Sequence, residues 1–227
     1  MTFNRQKIHQ QNQTLSIRCG RLHDRNMLAA GDGNISLYQP DKRQVLISIS
    51  GGTLVDLSPE QMVPIDLEGN SIKRYTIKAT PSSEKWMHLM VYQQASQARC
   101  VVHAHPPHAV AFSLANPGLT ELPITALSEA ILSVGSIPII PYALPGSQQL
   151  AEQIKNYLPG HRVMIMARHG ALAWGETVEE AFNGMERIEH VAYTLKLAQD
   201  LGGATSLGQD ELRALTALRS ELGERTR

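Results

Sequence analysis

The stretch CVVHAHPPH, residues 100–108, sets narrow limits on what can surround it. Its apolar opening suits a buried strand, and two prolines close it, because proline has no N–H to give a ladder. The strand must therefore stop at His105, which Pro106 holds in an extended conformation. Side chains alternate along a strand, so His103 and His105 share one face while Val102 and Ala104 share the other. Their Cα atoms stand about 7 Å apart. Two imidazoles at that spacing can converge on one ion at about 2.1 Å from each ring nitrogen. They can equally be two polar residues satisfied at the end of a strand.

A third imidazole changes that balance. In RVMIMARHG (162–170), Val163, Ile165, Ala167 and His169 alternate onto one face, and His169 ends the expected strand just before Gly170. Two strand ends bearing histidine predict a three-imidazole metal site. Other chemistries built on a His-x-His pair fit less well. The HxHxDH pattern has Pro107 where it needs Asp. A cupin needs a glutamate soon after the pair, and a (β/α)₈ barrel needs a longer chain. His88 follows Glu84 by four residues on one helix face and reads as packing or as support behind a site. His108 reads as a surface or supporting residue, and His9, His23, His161 and His190 show no partner.

Around these residues the chain alternates between elements. Ile8, Leu15, Leu22 and Ala29 recur every seven residues and predict an amphipathic helix over the first 25 or so, broken by GDGNIS. VLISIS (45–50) reads as a strand stopped by Gly51-Gly52, and MVPIDLEGN (62–70) as a short strand and turn. PSSEKWMHLMVYQQ (81–94) carries helix start signals. A helix follows Pro107 through HAVAFSLAN, and IPIIPYALPG leads into another, SQQLAEQIKNYL. RVMIMARHG and ALAWG read as two more strands. The clearest helix begins at Thr177, with Thr177 and Glu180 as a capping box. Ala181, Met185, Ile188, Ala192 and Leu195 form its apolar stripe, and Gly202-Gly203 its end. These elements make one mixed α/β domain spanning 1–227.

Charge excludes some functions. Lys+Arg and Asp+Glu are equal at 21 each, so neither nucleic acid nor a membrane surface meets a basic footprint. No apolar run approaches the roughly 18 residues of a membrane span. The polar start MTFNRQKIHQQNQ lacks the apolar core of a signal peptide. Cys19 and Cys100 are too few for a disulfide framework, so a cytoplasmic location is expected.

GDGNISL, SISGG and PSSE are short polar stretches that turn chemistry alone can explain. Together they can also surround an anion with backbone N–H groups and neutral donors. Glu84 follows two serines at a helix start. It is either a first-turn carboxylate favoured by the helix dipole or a proton-carrying carboxylate beside a metal.

In the order GNIS (33–36), SISGG (48–52), PSSE (81–84), HAHPPHA (103–109), PYALPGS (141–147) and RHGALAWGETVEEAF (168–182), these stretches resemble the class II aldolase/adducin family over roughly residues 5–200. The resemblance implies a central, mainly antiparallel sheet flanked by helices, in three layers. It also implies a homotetramer with sites between subunits. His103, His105 and His169, joined by Glu84 when no substrate is bound, would hold a divalent metal, usually Zn2+, with Mn2+, Co2+ or Fe2+ as alternatives. Glu84 would be the acid/base, and Asn34, Ser50, Gly51, Ser82 and Ser83 would hold a substrate phosphate. The implied activity is cleavage of a ketose 1-phosphate, such as L-fuculose 1-phosphate, to dihydroxyacetone phosphate and an aldehyde. Decarboxylases, dehydratases and epimerases share the scaffold; epimerase members carry Asp where Glu84 stands. A non-catalytic, adducin-like interaction domain would predict lost ligands, and all four are present. Two tyrosines of the fuculose-phosphate enzymes have no counterpart: none lies between Tyr92 and Tyr142, and Tyr193 is the last in the chain. The group that serves the leaving hydroxyl is thus open, with Glu129 near the first position.

Overall fold

A computed structural model describes residues 14–55, 57–72, 79–223 and 225–226. Its seven strands are β1 (Asn34–Gln39), β2 (Gln44–Ser48), β3 (Met62–Ile65), β4 (Cys100–Ala104), β5 (Ile139–Ile140), β6 (Val163–Met166) and β7 (Gly170–Gly175). They form one sheet in the order β3-β2-β1-β4-β7-β6-β5. Every neighbouring pair is antiparallel except β5 and β6. The helices are α1 (14–24), α2 (Lys85–Gln94), α3 (Pro107–Ala115), α4 (Ser128–Val134), α5 (Gln148–Lys155), α6 (Val178–Asp200) and α7 (Gln209–Leu222).

Strand alternation divides the apolar residues into two layers. On one face Ile35, Val102, Ile165 and Ala173 pack with Leu15 and Leu22 of α1, Phe112 of α3, Ile131 of α4 and Met185 and Ile188 of α6. On the other, Val45, Ile47, Val101, Met164 and Trp174 pack with Met87 and Val91 of α2 and Leu150 and Ile154 of α5. This is the expected three-layer arrangement, with a mainly antiparallel sheet between helices. No helix among the described residues is long and apolar enough to cross a membrane.

Several local expectations need correction. The first helix stops at 24, so Ala29 lies beyond it, while Ile8 falls outside the described residues. Asn26 takes a left-handed φ of 58°, and Met27 N–H closes the end on Leu22 O at 2.9 Å. GNISL is not a turn: Asn34 opens β1, whose Asn34 and Ser36 make one face polar although both are buried. The serines of PSSE form a turn ahead of α2, which starts at Lys85 rather than Pro81. Thr177 Oγ1 accepts the Glu180 N–H, but Glu180 Oε2 accepts from Glu176 N rather than from the N-cap, so only half of a capping box forms. Gly202 and Gly203, with φ near +109°, follow the end of α6 as expected.

Candidate metal centre

β4 runs through the middle of the sheet and delivers its histidines to the side where β1 and β7 begin. Asn34 of β1 lies opposite His103, and Leu172 of β7 lies opposite it on the other side. His105 follows the last ladder residue, and its N–H is held by Met27 O at 2.8 Å. Pro107 then opens α3 from its first position, where the missing N–H costs nothing.

His169 reaches the same point by a different route from the one its spacing predicts. β6 ends at Met166, and residues 167–169 form a three-residue hairpin loop to Gly170. Arg168, at the loop's centre, has a left-handed φ of 62°. Simple alternation would put His169 on the side of Val163 and Ile165; the loop reverses the chain and turns it towards His103. Gly170 is required there, since a Cβ would stand 2.8 Å from His103 Cε1 and 2.6 Å from His105 Cδ2. Gly33 has a similar constraint, with a φ of 78° and His103 O only 2.8 Å from where its Cβ would be.

The three rings form a compact triangle with centroid separations of 4.9, 4.8 and 5.3 Å. One ligand atom from each lies within 4.8 Å of the others, so the set could hold a single divalent ion. The outer hydrogen bonds fix which nitrogens face inward. His103 Nδ1 lies 2.9 Å from Ala171 O, and His105 Nδ1 lies 3.1 Å from Asp32 Oδ2. Each Nδ1–H donates outward, which leaves both Nε2 lone pairs inward and 3.1 Å apart. Glu84 comes from the other side. Its Oε2 is 3.2 Å from His103 Nε2, and its Oε1 is 3.1 Å from His169 Nε2. Oε1 is buried yet accepts no hydrogen bond. Lone pairs crowded this way repel unless a cation lies among them, and imidazoles with a carboxylate are a donor set suited to a divalent metal.

Electrostatics agree with that arrangement. Burial opposes the Glu84 charge, but contacts with His103 and His169 outweigh it and hold the carboxyl well below its ordinary range. Burial and the His103 charge push His105 down, against the pull of Asp32.

The pocket in front of the histidines, of about 350 Å³, is lined by Asp32, Asn34, Ser50, Gly51, Ser82, Ser83, Glu84, His105, Pro145 and His169, among others. His103 is fully buried behind it. The sequence-derived residues are thus gathered at one place. Ser50 N–H bonds to Thr80 O and Ser82 N–H to Ser48 O, which lays PSSE against the end of β2. Ser82 Oγ accepts the Glu84 N–H. Asn34 is only 4% exposed, and its amide donates to Glu84 Oε2 at 2.8 Å.

Three contributors, Asp32, Ser36 and Tyr92, carry no signal of this role in the sequence. Asp32 was part of a turn, and nothing in one dimension joins it to His105. Ser36 and Tyr92 stand with His88 in a buried polar group behind Asn34. The Glu84–His88–Tyr92 spacing of four gives only a shared helix face. Glu129 lies away from this pocket on α4, where it pairs with Arg187 at 2.9 Å. His108 bonds to Glu189 and supports the start of α3.

Residues 13–195 match the family described as Class II Aldolase and Adducin N-terminal domain. The 3-oxo-tetronate 4-phosphate decarboxylase of Haemophilus influenzae is 30% identical over 182 residues, which cover 78% of this chain and 83% of that protein. The 5-deoxy-D-ribulose 1-phosphate aldolase of Bacillus thuringiensis serovar kurstaki is 32% identical over 184 residues, with coverage of 81% and 83%. The solved structure of an L-fuculose 1-phosphate aldolase superimposes with a TM-score of 0.80 at 25% identity, covering 92% of this chain and 95% of that one. The family match covers most of the chain and the fold is shared with a solved aldolase, so the chain belongs to the class II aldolase and adducin family.

Proposed function

We propose that this chain is a zinc-dependent lyase that cleaves a ketose 1-phosphate, such as L-fuculose 1-phosphate, to dihydroxyacetone phosphate and an aldehyde. The observation that carries the reading is the convergence of His103, His105 and His169 with Glu84 at the floor of a polar pocket. His103, His105 and His169 would hold the ion, with Glu84 as a fourth ligand before substrate arrives; Mn2+, Co2+ or Fe2+ suits the same donors less simply. When bound, the ion supplies a Lewis acid for the ketose carbonyl and its neighbouring hydroxyl. Ser82 and Ser83 hydroxyls, with Ser50, Gly51 and the remaining Asn34 amide hydrogen, are neutral donors for the phosphate. They require no lysine or arginine in the pocket.

Glu84 is the proton carrier in this reading. In condensation its carboxylate takes a proton from C3 of dihydroxyacetone phosphate while water gives one to the aldehyde oxygen. In cleavage water takes the C4 hydroxyl proton as the C3–C4 bond breaks, and the Glu84 carboxyl returns a proton to C3. The reading extends to one domain over 1–227, acting in the cytoplasm as a homotetramer with sites between subunits. Tyr142 and Leu144, 55% and 65% exposed beside the pocket residue Pro145, support a neighbour at that lip.

A second reading on the same site is a decarboxylase of a phosphorylated sugar acid, favoured by the 30% identity to the tetronate-phosphate enzyme. One assay separates them. Zinc-loaded protein is incubated with a panel of ketose 1-phosphates and dihydroxyacetone phosphate is measured, beside Glu84→Gln. Release that falls at least about 100-fold in the variant, with zinc still bound, is the expected result. Zinc-loaded protein that releases none, but liberates carbon dioxide from a phosphorylated 3-oxo acid, would replace the aldolase with the decarboxylase.

A further inference from the structure

Behind Glu84 and Asn34 stands a buried polar column whose inner members, His88, Ser36 and Tyr92, take part in neither metal binding nor phosphate binding. Glu84, His88 and Tyr92 recur every four residues, so they form one stripe from the N-cap of α2 through its body. Asn34 and Ser36 alternate onto the facing side of β1. The two sets interdigitate: Glu84 Oε2 to Asn34 Nδ2 at 2.8 Å, Asn34 Oδ1 to His88 Nε2 at 2.5 Å, and His88 Nδ1 to Ser36 Oγ at 2.7 Å. Tyr92 OH ends the column, 2.8 Å from Ser36 Oγ and 2.9 Å from Ser36 O. His88 and Ser36 are fully buried, and Asn34 and Tyr92 nearly so.

Each link has only one workable direction. An ionised carboxylate accepts and cannot donate, so the NH2 of Asn34 must point at Glu84. Asn34 Oδ1 then faces His88 and must receive a hydrogen, which puts the ring proton on Nε2. Neutral His88 therefore accepts at Nδ1 from the Ser36 hydroxyl. Rotating the Asn34 amide by half a turn would set its oxygen against the carboxylate and its NH2 against the His88 N–H. The carboxylate and an imidazole protonated at Nε2 together oppose the flip.

We propose that His88 is a positioning residue for Glu84, acting through Asn34 to keep one N–H aimed at Oε2. The proposal rests on the reading of Glu84 as proton carrier. The column holds a geometry and conducts no proton, because the Asn34 amide interrupts it. Its service is to fix the oxygen nearest His103 in the ionised carboxylate, the state that takes up the proton.

Two substitutions separate positioning from mere filling. His88→Gln supplies an amide N–H close to the place of Nε2, whereas His88→Leu fills the space and donates nothing. For dihydroxyacetone phosphate release by the zinc-loaded enzyme, kcat should fall about 10- to 100-fold in His88→Leu and recover to within about 3-fold of wild type in His88→Gln, with KM nearly unchanged. Equal kcat in wild type and His88→Leu would overturn the proposal, as would equal losses in both variants. A second readout needs no turnover: the side-chain NH2 resonances of Asn34 in 15N-labelled, zinc-loaded protein, assigned by their loss in Asn34→Ser. Wild type and His88→Gln should show a protected pair and His88→Leu a rapidly exchanging one. The same protected pair in His88→Leu, at a melting temperature like that of wild type, would refute the positioning role. If no ketose phosphate is cleaved by wild type, the reaction reading fails, and the amide resonances still decide the role of His88.

Discussion

At the scale of single residues, His88 carries a stability cost that titration exposes. Burial, followed by the charge of nearby His103, pushes its pKa from an ordinary 6.5 to about 3, against a smaller upward pull from Glu84. The unfolded chain therefore takes up the proton first as pH falls. The stability contribution is complete above pH 6.5 and drains away as pH drops from 6.5 towards 3. Between pH 6.5 and 5 wild type should lose about 1.5 kcal/mol more stability than His88→Gln in parallel urea titrations. Identical losses would mean that His88 is accessible to protons in the fold. The sequence put His88 on the face of Glu84 but could not pair it with Asn34, because the two are 54 positions apart and only the packing of α2 on β1 joins them. His103 and His105 were readable for the opposite reason: two residues on one strand carry their relative geometry with them.

Among elements, α3 shows how the region after the histidines is held. Its N-terminus is capped from α6, where buried Glu189 accepts from the backbone of His108 at 3.1 Å and of Ala109 at 3.3 Å. The same carboxylate accepts from His108 Nδ1 at 2.6 Å. Removing it in Glu189→Ala leaves buried donors without a partner, at a cost of about 1–3 kcal/mol. For a chain of this length the melting temperature should fall by roughly 3–8 °C. A fall under about 1 °C would show that water replaces the carboxylate, and that the cap contributes little. Elements with long apolar stripes, such as α6, or dense β-branched residues, such as β4, were readable in sequence. β1 was not, because Asn34 and Ser36 look like turn residues until a buried histidine gives their side chains partners. The short α4 and the largely exposed α7 also left no clear pattern; α7 sits on α4 through Arg219, whose Nη1 donates to Leu132 O at 2.7 Å.

At the scale of the whole molecule, alternation of strands and helices pointed to α/β order but could not give strand direction. The family resemblance supplied the antiparallel sheet, and six ladders show why spacing could not: hairpins and crossovers leave similar traces in a linear chain. The proposed tetramer should give a light-scattering mass of about 100 kDa, four times the 25.0 kDa chain. A mass near 25 kDa at assay concentration would remove the subunit-boundary site. The register of β4 has a consequence for how such a chain can change over generations. Cys100, Val102 and Ala104 serve one apolar layer, while Val101 and His103 face the other way. Loss or gain of one residue within the strand would exchange those two sets, sending an imidazole into the packing against α6 and leaving an aliphatic group at the pocket. Insertions and deletions are thus barred from this strand, whereas substitutions remain open. Descendants of this chain can acquire new substrates through the loops at the pocket's rim, but must inherit the spacing of the central strand unaltered.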